Sequence, residues 1–367
     1  MKSENPQWKD FVGRRAVSDI AEAIGLVERK FDRAAFVKAV LADDLMKREL
    51  KDRIMTVARH LKTYLPGDYG RSVDILIAVA PRLNGWCNWV LTSYVEQFGL
   101  EHFEDSVRAL EELTRHGTGE FAIRPFMIEY TDRMLPVLSR WAEHKNEHVR
   151  RLAAEGSRPR GVWVAHVEAF KANPSPVIKI LDKLRADDSL YVRKAVANNL
   201  NDISKDHPEL AIETASRWQK DSNKQTDWII RHGCRSLIKQ GHPGVFALLG
   251  FTADPKIRIS RLQTKPRRVR IGKEMVISFE IRSLAKKQQQ LVIDYKIHYV
   301  KSGGRLSAKV FKLAERKIGP GETVAITTRH SFVDRSTRKH FAGSHHLDLL
   351  INGVSRGSVE FLLTKSR

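Results

Sequence analysis

The sequence predicts an all-α solenoid of helical repeats followed by an all-β sandwich. Three observations carry that expectation. Residues 120 to 255 repeat one helical pattern at intervals of roughly 40 residues. Beyond Asp254-Pro255 the apolar residues change from helical spacing to the two-residue period of strands. The basic charge is also uneven. Residues 256–367 hold 25 Lys and Arg against 8 Asp and Glu, a net of +17, which leaves 39 bases and 35 acids, a net of +4, to residues 1–255. The expected domains are therefore 1–255 and 256–367. A basic module joined to a nearly balanced one implies a polyanionic partner held by the basic part.

Hydrophobic residues form 42% of the chain, enough for a sizeable core. The start, Met1-Lys2-Ser3-Glu4-Asn5-Pro6, has no signal-peptide apolar region, and no apolar run approaches the ~18 residues of a spanning helix. Cys87 and Cys234 lie far apart in helical patterns, which fits a reducing compartment. The expected location is the cytoplasm, with no membrane partner.

Residues 1–65 alternate apolar and charged positions at helical spacing, and Pro66-Gly67-Asp68-Tyr69-Gly70 is a turn cluster. Val73 to Ala80 begins another buried segment. Gly85 leads a helix to about Phe98, and Phe103 to about Thr114 is the next. Arg115-His116-Gly117 breaks it, after which Thr118 or Gly119 can cap a helix carrying Glu120 to Arg124. Val149-Arg150, Val192-Arg193 and Ile230-Arg231 are then equivalent positions. Leu152-Ala153, Ala195-Val196 and Gly233-Cys234 repeat the core pair behind them. Paired helices with this period are HEAT-like repeats, which bury their faces on their neighbours and curve into a concave surface. The repeated arginine commonly makes a structural ion pair between repeats, an alternative to DNA contact at Arg193 and Arg231.

Seven runs follow: Arg258–Leu262, Val276–Ile281, Leu291–Ile297, Ala308–Leu313, Val324–Thr327, Leu347–Ile351 and Val359–Leu363. Gly303-Gly304, Gly319-Pro320-Gly321 and Asn352-Gly353 punctuate them. Seven short strands in this length predict an immunoglobulin-like β-sandwich.

The chemistry gathers at Val149 to Trp163. Val149, Leu152, Ala153 and Gly156 form the apolar stripe of a helix that Gly156 ends and Pro159 forbids from resuming. A lone carboxylate, Glu155, stands in the last turn, where the helix dipole disfavours an acid. Arg151, Arg158, Arg160 and Trp163 surround it. There is no phosphate-binding Gly-rich loop, nucleophile elbow or Cys-x-x-Cys. His144 and His148 lack a third ligand, and His345-His346 is equally weak, so no metal or other cofactor is expected.

Repeated helices with Arg151-Leu152-Ala153-Ala154-Glu155-Gly156-Ser157-Arg158-Pro159-Arg160, then Trp163, resemble the HEAT-like DNA glycosylases of the AlkC and AlkD group, and are closer to the AlkC branch. The resemblance covers about residues 1–250. The basic β domain resembles the immunoglobulin-like extension that some AlkC members carry. It implies a bacterial cytoplasmic protein, nucleoid-associated when bound to DNA, that acts as a monomer on double-stranded DNA with alkylated bases. The implied reaction is excision of cationic N-alkylated bases such as 3-methyladenine, and for AlkC-type members 3-methylcytosine. Such a base departs neutral, so the protein needs an anion beside the developing oxocarbenium sugar rather than a strong acid. Glu155 suits the anion and Glu120 the water. Trp163 offers a π face to the deoxyribose and the cationic base. Arg151, Arg158, Arg160, Lys194 and Arg231 are the expected DNA contacts of the helical part. Those of the sandwich are Arg267, Arg268, Lys286, Lys287, Arg338 and Lys339, on loops expected to close on the duplex opposite the solenoid. Structural alternatives stand beside these roles: an ion pair from Glu155 to Arg151, and a first-turn acid stabilised by the dipole at Glu120. The second reading of the whole chain is a non-catalytic HEAT-repeat scaffold that binds DNA or an acidic protein. The acid at position 155 discriminates, because a pure DNA binder gains nothing from a carboxylate near phosphate.

Overall fold

The computed structural model describes residues 8–335 and 338–365. Two compact units emerge. One takes the described residues up to His207 and Arg217–Gly233, and the other takes Pro208–Ser216 and the described residues from Cys234 onward. The first is all-α and the second is dominated by strands.

In the first unit the helices end where the turn chemistry dictates. Tyr69–Val79 starts after Asp68, whose carboxylate accepts from the Arg71 amide, and Gly85–Phe98 starts after Asn84, which accepts from the Trp86 and Cys87 amides. Asn146 caps Glu147–Gly156 in the same way. The expectation of a capped helix over Glu120 to Arg124 is corrected. Residues 120–123 form a turn, and the helix is Arg124–Glu129. Pro125 explains the shift, since proline favours the first turn of a helix, where its missing N–H is no loss. Thr118 Oγ1 accepts from the Glu120 amide and closes that turn.

The repeat is visible in two arginines. Arg150 donates to the carbonyls of His144 and Lys145, and Arg193 donates to those of Asp187 and Asp188, the same offsets one repeat later. Arg150 also forks onto Asp187 at 2.6 and 3.1 Å, tying its repeat to the next. Gly156 and Gly233 mark close helix approaches. A Cβ on Gly156 would stand 2.9 Å from Ile123, and one on Gly233 would stand 2.9 Å from Leu200. No helix is long and apolar enough to cross a membrane among the described residues.

The second unit holds β1 (Ile257–Lys265), β2 (Arg268–Arg270), β3 (Glu274–Ser283), β4 (Gln289–Val300), β5 (Leu306–Ile318), β6 (Thr323–Ser331), β7 (Gly343–Ile351) and β8 (Val354–Thr364). They form a three-stranded sheet, β1-β3-β6, and a five-stranded sheet, β2-β8-β7-β4-β5. Every run expected from period two is a strand. The addition is β2, whose three residues pair parallel to β8. It is too short to show a period and is hidden in the basic run Lys265 to Arg270. Alternate residues such as Ile277, Phe279 and Ile281 of β3 and Ile293, Tyr295 and Ile297 of β4 fill the core between the sheets.

Asn352-Gly353 turns β7 into β8 with φ values of 47° and 75°, as a type I′ hairpin requires. This turn also anchors the helical segment that precedes β1. Asn352 accepts from the Val292 amide and donates to the Thr252 carbonyl, and a Cβ on Gly353 would fall 2.1 Å from the Cα of Gly241. The strands thus begin at Ile257, while the unit that contains them reaches back to Cys234.

His330 and His345 are buried in the sandwich, 5% and 0% exposed, and burial pushes both imidazoles down to about 4. Below the unfolded value of 6.5 the unfolded chain takes up protons that the folded chain refuses until about pH 4. Each histidine therefore removes ~1.4 kcal/mol of stability per pH unit across that window. Burial raises Asp294 to about 6, which returns a similar slope below that pH. Among these three groups, one histidine's share remains as the net loss. In urea unfolding of the full chain between pH 6 and 4.5, His345→Phe should reduce the loss of stability by about 1.4 kcal/mol per unit relative to wild type. An unaltered slope would show that the imidazole is not held neutral.

Candidate active site

The Glu147–Gly156 helix packs on Leu190–Asp206 of the next repeat. Its last-turn carbonyls, orphaned by helix geometry, are taken by neighbours. Ser157 Oγ donates to the Ala153 carbonyl, Asn199 to that of Ala154 and Arg124 to that of Gly156. This ending holds Glu155 in place with its side chain only 11% exposed.

Glu155 belongs to a chain of alternating charges. Glu120 pairs with Arg151, and Arg151 lies 3.7 Å from Glu155. Glu155 pairs with Arg158, whose Nε donates to Asp202 at 2.7 Å, and Lys205 donates to Asp202 at 2.7 Å. Thr118 Oγ1 accepts from Arg151. The expectation of a lone carboxylate is corrected: acids from the preceding turn and the following repeat match the surrounding arginines. A cavity of about 160 Å³ opens here, lined by Glu120, Arg151, Glu155, Arg158, Val162 and Asn198 among others.

Glu120 and Val162 also line a second cavity of about 690 Å³, whose wall is aromatic: Trp8, Trp86, Trp89, Phe121, Trp163 and Tyr191. Phe11 stacks on Trp86 at 5.3 Å, and Trp89 stacks on Phe121 at 4.5 Å. Trp163 is 73% exposed with φ at +61°. A bulky residue in the left-handed region is strained and persists only where its surroundings impose it. Trp163 thus lines the cavity and is not packed in a core.

Several arginines expected to contact DNA are engaged within the chain. Arg158 is 8% exposed and bridges Glu155 to Asp202. Arg151 is likewise committed to Glu120, Glu155 and the Tyr191 ring, 5.1 Å away. Arg160 forks onto Asp206 at 2.8 and 2.5 Å. Arg338 is half-buried over Tyr299 and Phe311. In each case a side chain distant in sequence meets the arginine. Lys194, Arg231, Arg267, Arg268, Lys286, Lys287 and Lys339 are exposed. Trp228 stacks on His232 at 4.8 Å and lies beneath Arg193, a packing role. Among the described residues no group of three or more His, Cys, Asp or Glu is placed to hold a metal. Sequence reasoning missed Asp202, Arg124, Tyr191 and Trp86. Only Asp202 had a signal, an acid in the helix one repeat after Glu155.

Arg158→Ala should strip both buried carboxylates of their shared partner. Removing one member of a buried ion pair costs about 3–5 kcal/mol, so a large loss of stability is expected. Arg160→Ala, at a more exposed pair, should cost less than ~1 kcal/mol. Urea unfolding of both variants checks this, and equal small effects would show that the Arg158 bridge does not hold.

The comparisons with known proteins agree with this architecture. The family described as DNA alkylation repair enzyme matches residues 117–237, and the C-terminal immunoglobulin-like domain of YhaZ matches residues 258–365. The chain is 41% identical to YhaZ of Bacillus subtilis (strain 168) over 353 residues, 96% of this chain and 98% of that one. It is similar to the solved structure of the Pseudomonas fluorescens alkylpurine DNA glycosylase AlkC bound to DNA containing an abasic-site analogue. That match has a TM-score of 0.93 and 40% identity, and covers 98% of this chain and 100% of the other. The chain belongs to the AlkC branch of the DNA alkylation repair enzymes, with the immunoglobulin-like domain at its C-terminal end.

Proposed function

We propose that the protein is a DNA glycosylase that hydrolyses the N-glycosidic bond of cationic N-alkylated bases in duplex DNA, 3-methyladenine and 3-methylcytosine among them. The observation that carries this reading is Glu155, a carboxylate held by two guanidiniums at a small cavity beside an exposed tryptophan. The similarity to a glycosylase whose structure is bound to DNA with an abasic-site analogue supports it.

The chemistry follows from charge. A base alkylated at N3 carries a positive charge and leaves with the bonding electron pair as a neutral molecule. The sugar then develops oxocarbenium character. No proton must reach the base, so a strong acid is not needed. A fixed anion beside C1′ lowers the barrier, because it gains attraction as positive charge develops on the sugar. Glu155 is that anion. Arg151 and Arg158 fix its orientation, and Asp202 holds Arg158 in turn. Glu120 is the acceptor of a proton from the attacking water, a role supported by its position bordering both cavities. The π face of Trp163 favours the cationic base and the electron-poor sugar.

Incubation with methylated duplex DNA, followed by chromatography of released bases and counting of abasic sites, tests the proposal. Release of 3-methyladenine and 3-methylcytosine is expected from wild type. Duplex binding without any release would overturn it in favour of a scaffold.

A further inference from the structure

The loop that carries Trp163 has no helix or strand from residue 157 to 167. One backbone bond crosses it, from the Val167 amide to the Pro159 carbonyl. Its interior is occupied instead by a side chain from the preceding repeat. Arg124, 3% exposed, donates to the carbonyls of Gly156 (3.0 Å) and Arg158 (2.7 Å) on the incoming arm. It donates twice to that of Ala165 (3.1 and 2.7 Å) on the outgoing arm. No ion pair joins Arg124 to a carboxylate among the described residues, although Glu155 and Asp202 lie within its electrostatic reach. Burial, with Arg158 nearby, pushes its guanidinium down to about 10, so the charge is costly to keep there. A planar group with five donors in a rigid fork makes four bonds to three carbonyls on two arms, whereas an ammonium has three donors gathered on one atom. At the tip, Lys51 Nζ lies 3.4 Å from the carbonyl of Trp163, the residue in the left-handed region.

We infer that Arg124 is a positioning residue: its fork pins both arms of the 157–167 loop and, with Lys51 at the tip, sets the Trp163 ring against the substrate. The inference rests on the glycosylase reading for its kinetic consequence, but not for its structural one. Arg124 borders the small cavity, but its hydrogen bonds go to backbone carbonyls of the helix end and the loop. It acts through Trp163 and through the helix end that holds Glu155. The strained backbone of Trp163 needs surroundings that impose it, and these two tethers supply them. Freed of the fork, the loop would relax and the ring would leave its place. A misplacement of about 1 Å from a change outside the chemistry can cost on the order of 10²-fold in rate.

The test uses the full chain labelled with 5-fluorotryptophan, which has seven tryptophans to report on, and Trp163→Phe to assign the Trp163 resonance. Arg124→Lys keeps the charge and loses the fork. Its Trp163 line should shift or broaden, free and on a duplex containing an abasic-site analogue, while the other lines stay. Single-turnover release of 3-methyladenine should fall about 10- to 100-fold. Affinity for the analogue duplex should change less than ~3-fold, since the phosphate contacts remain. Lys51→Met removes only the tip contact, and should move the same line with a smaller rate loss. A Trp163 line and rate unaltered in Arg124→Lys would overturn the inference. So would a collapse of all lines in Arg124→Lys combined with an unmoved Trp163 line in Lys51→Met. If the wild type releases no base, the glycosylase reading fails, while the Trp163 line on the analogue duplex still decides the clamp.

Discussion

Glu155→Gln should lower single-turnover excision of 3-methyladenine by about 10²-fold or more, the scale of removing one preorganised electrostatic group. The substitution keeps the shape of the side chain and removes its charge. Arg151 and Arg158 then face a neutral amide, and the cavity gains one unit of positive charge where the sugar must become positive. The variant should still bind duplex with an abasic-site analogue as tightly as wild type or more tightly, because one repulsion with phosphate is gone. Its stability should fall modestly, since Arg158 keeps Asp202. The decisive measurement is excision at saturating protein beside binding to the analogue duplex. Unchanged excision would make Glu155 a structural ion-pair partner, and weaker binding in proportion to lost excision would make it a binding group.

Replacing Arg267, Arg268, Lys286 and Lys287 together by Gln should weaken duplex binding by about 10²- to 10³-fold at physiological salt. The slope of log affinity against log salt should shrink by about three to four units if each holds a phosphate. All four are exposed, so the fold should survive. Lesion and undamaged duplex should lose equally, because phosphates carry no sequence information. Excision at saturating protein should stay near wild type. An unchanged salt slope would assign this basic surface to some other partner. Substitution is a cleaner test than truncation at residue 255. A cut there would remove the Thr252 and Gly241 contacts that the Asn352-Gly353 turn makes.

Some of this was legible in the chain itself. Helical spacing at Val149, Leu152, Ala153 and Gly156 marked a helix whose end the structure places at Gly156. Period-two spacing marked seven strands, and Asn352-Gly353 marked its hairpin, because both patterns reflect local backbone geometry. The run from Arg151 to Arg160 with Trp163 pointed to the family, and the excess of Lys and Arg after residue 255 pointed to a polyanion.

What each charged side chain does was decided only in three dimensions. Arg158 lies three residues from Glu155 and 44 from Asp202, and it meets both. Arg160 reads as an open phosphate ligand until Asp206 arrives from the next repeat. Arg124 reads as an ordinary polar residue of a first turn, yet it is buried against carbonyls of residues 32 to 41 positions away. Stacking of repeats makes these pairs. A solenoid brings together residues about one repeat apart, so the partner of a charge stands some 40 positions along the chain, beyond the reach of any local pattern. The sequence alone determined the helix over Val149 to Gly156, seven of the eight strands, and that an acid among arginines ends that helix. The tertiary structure alone decided which of those arginines are already spoken for, because a charge's role depends on its nearest opposite charge in space.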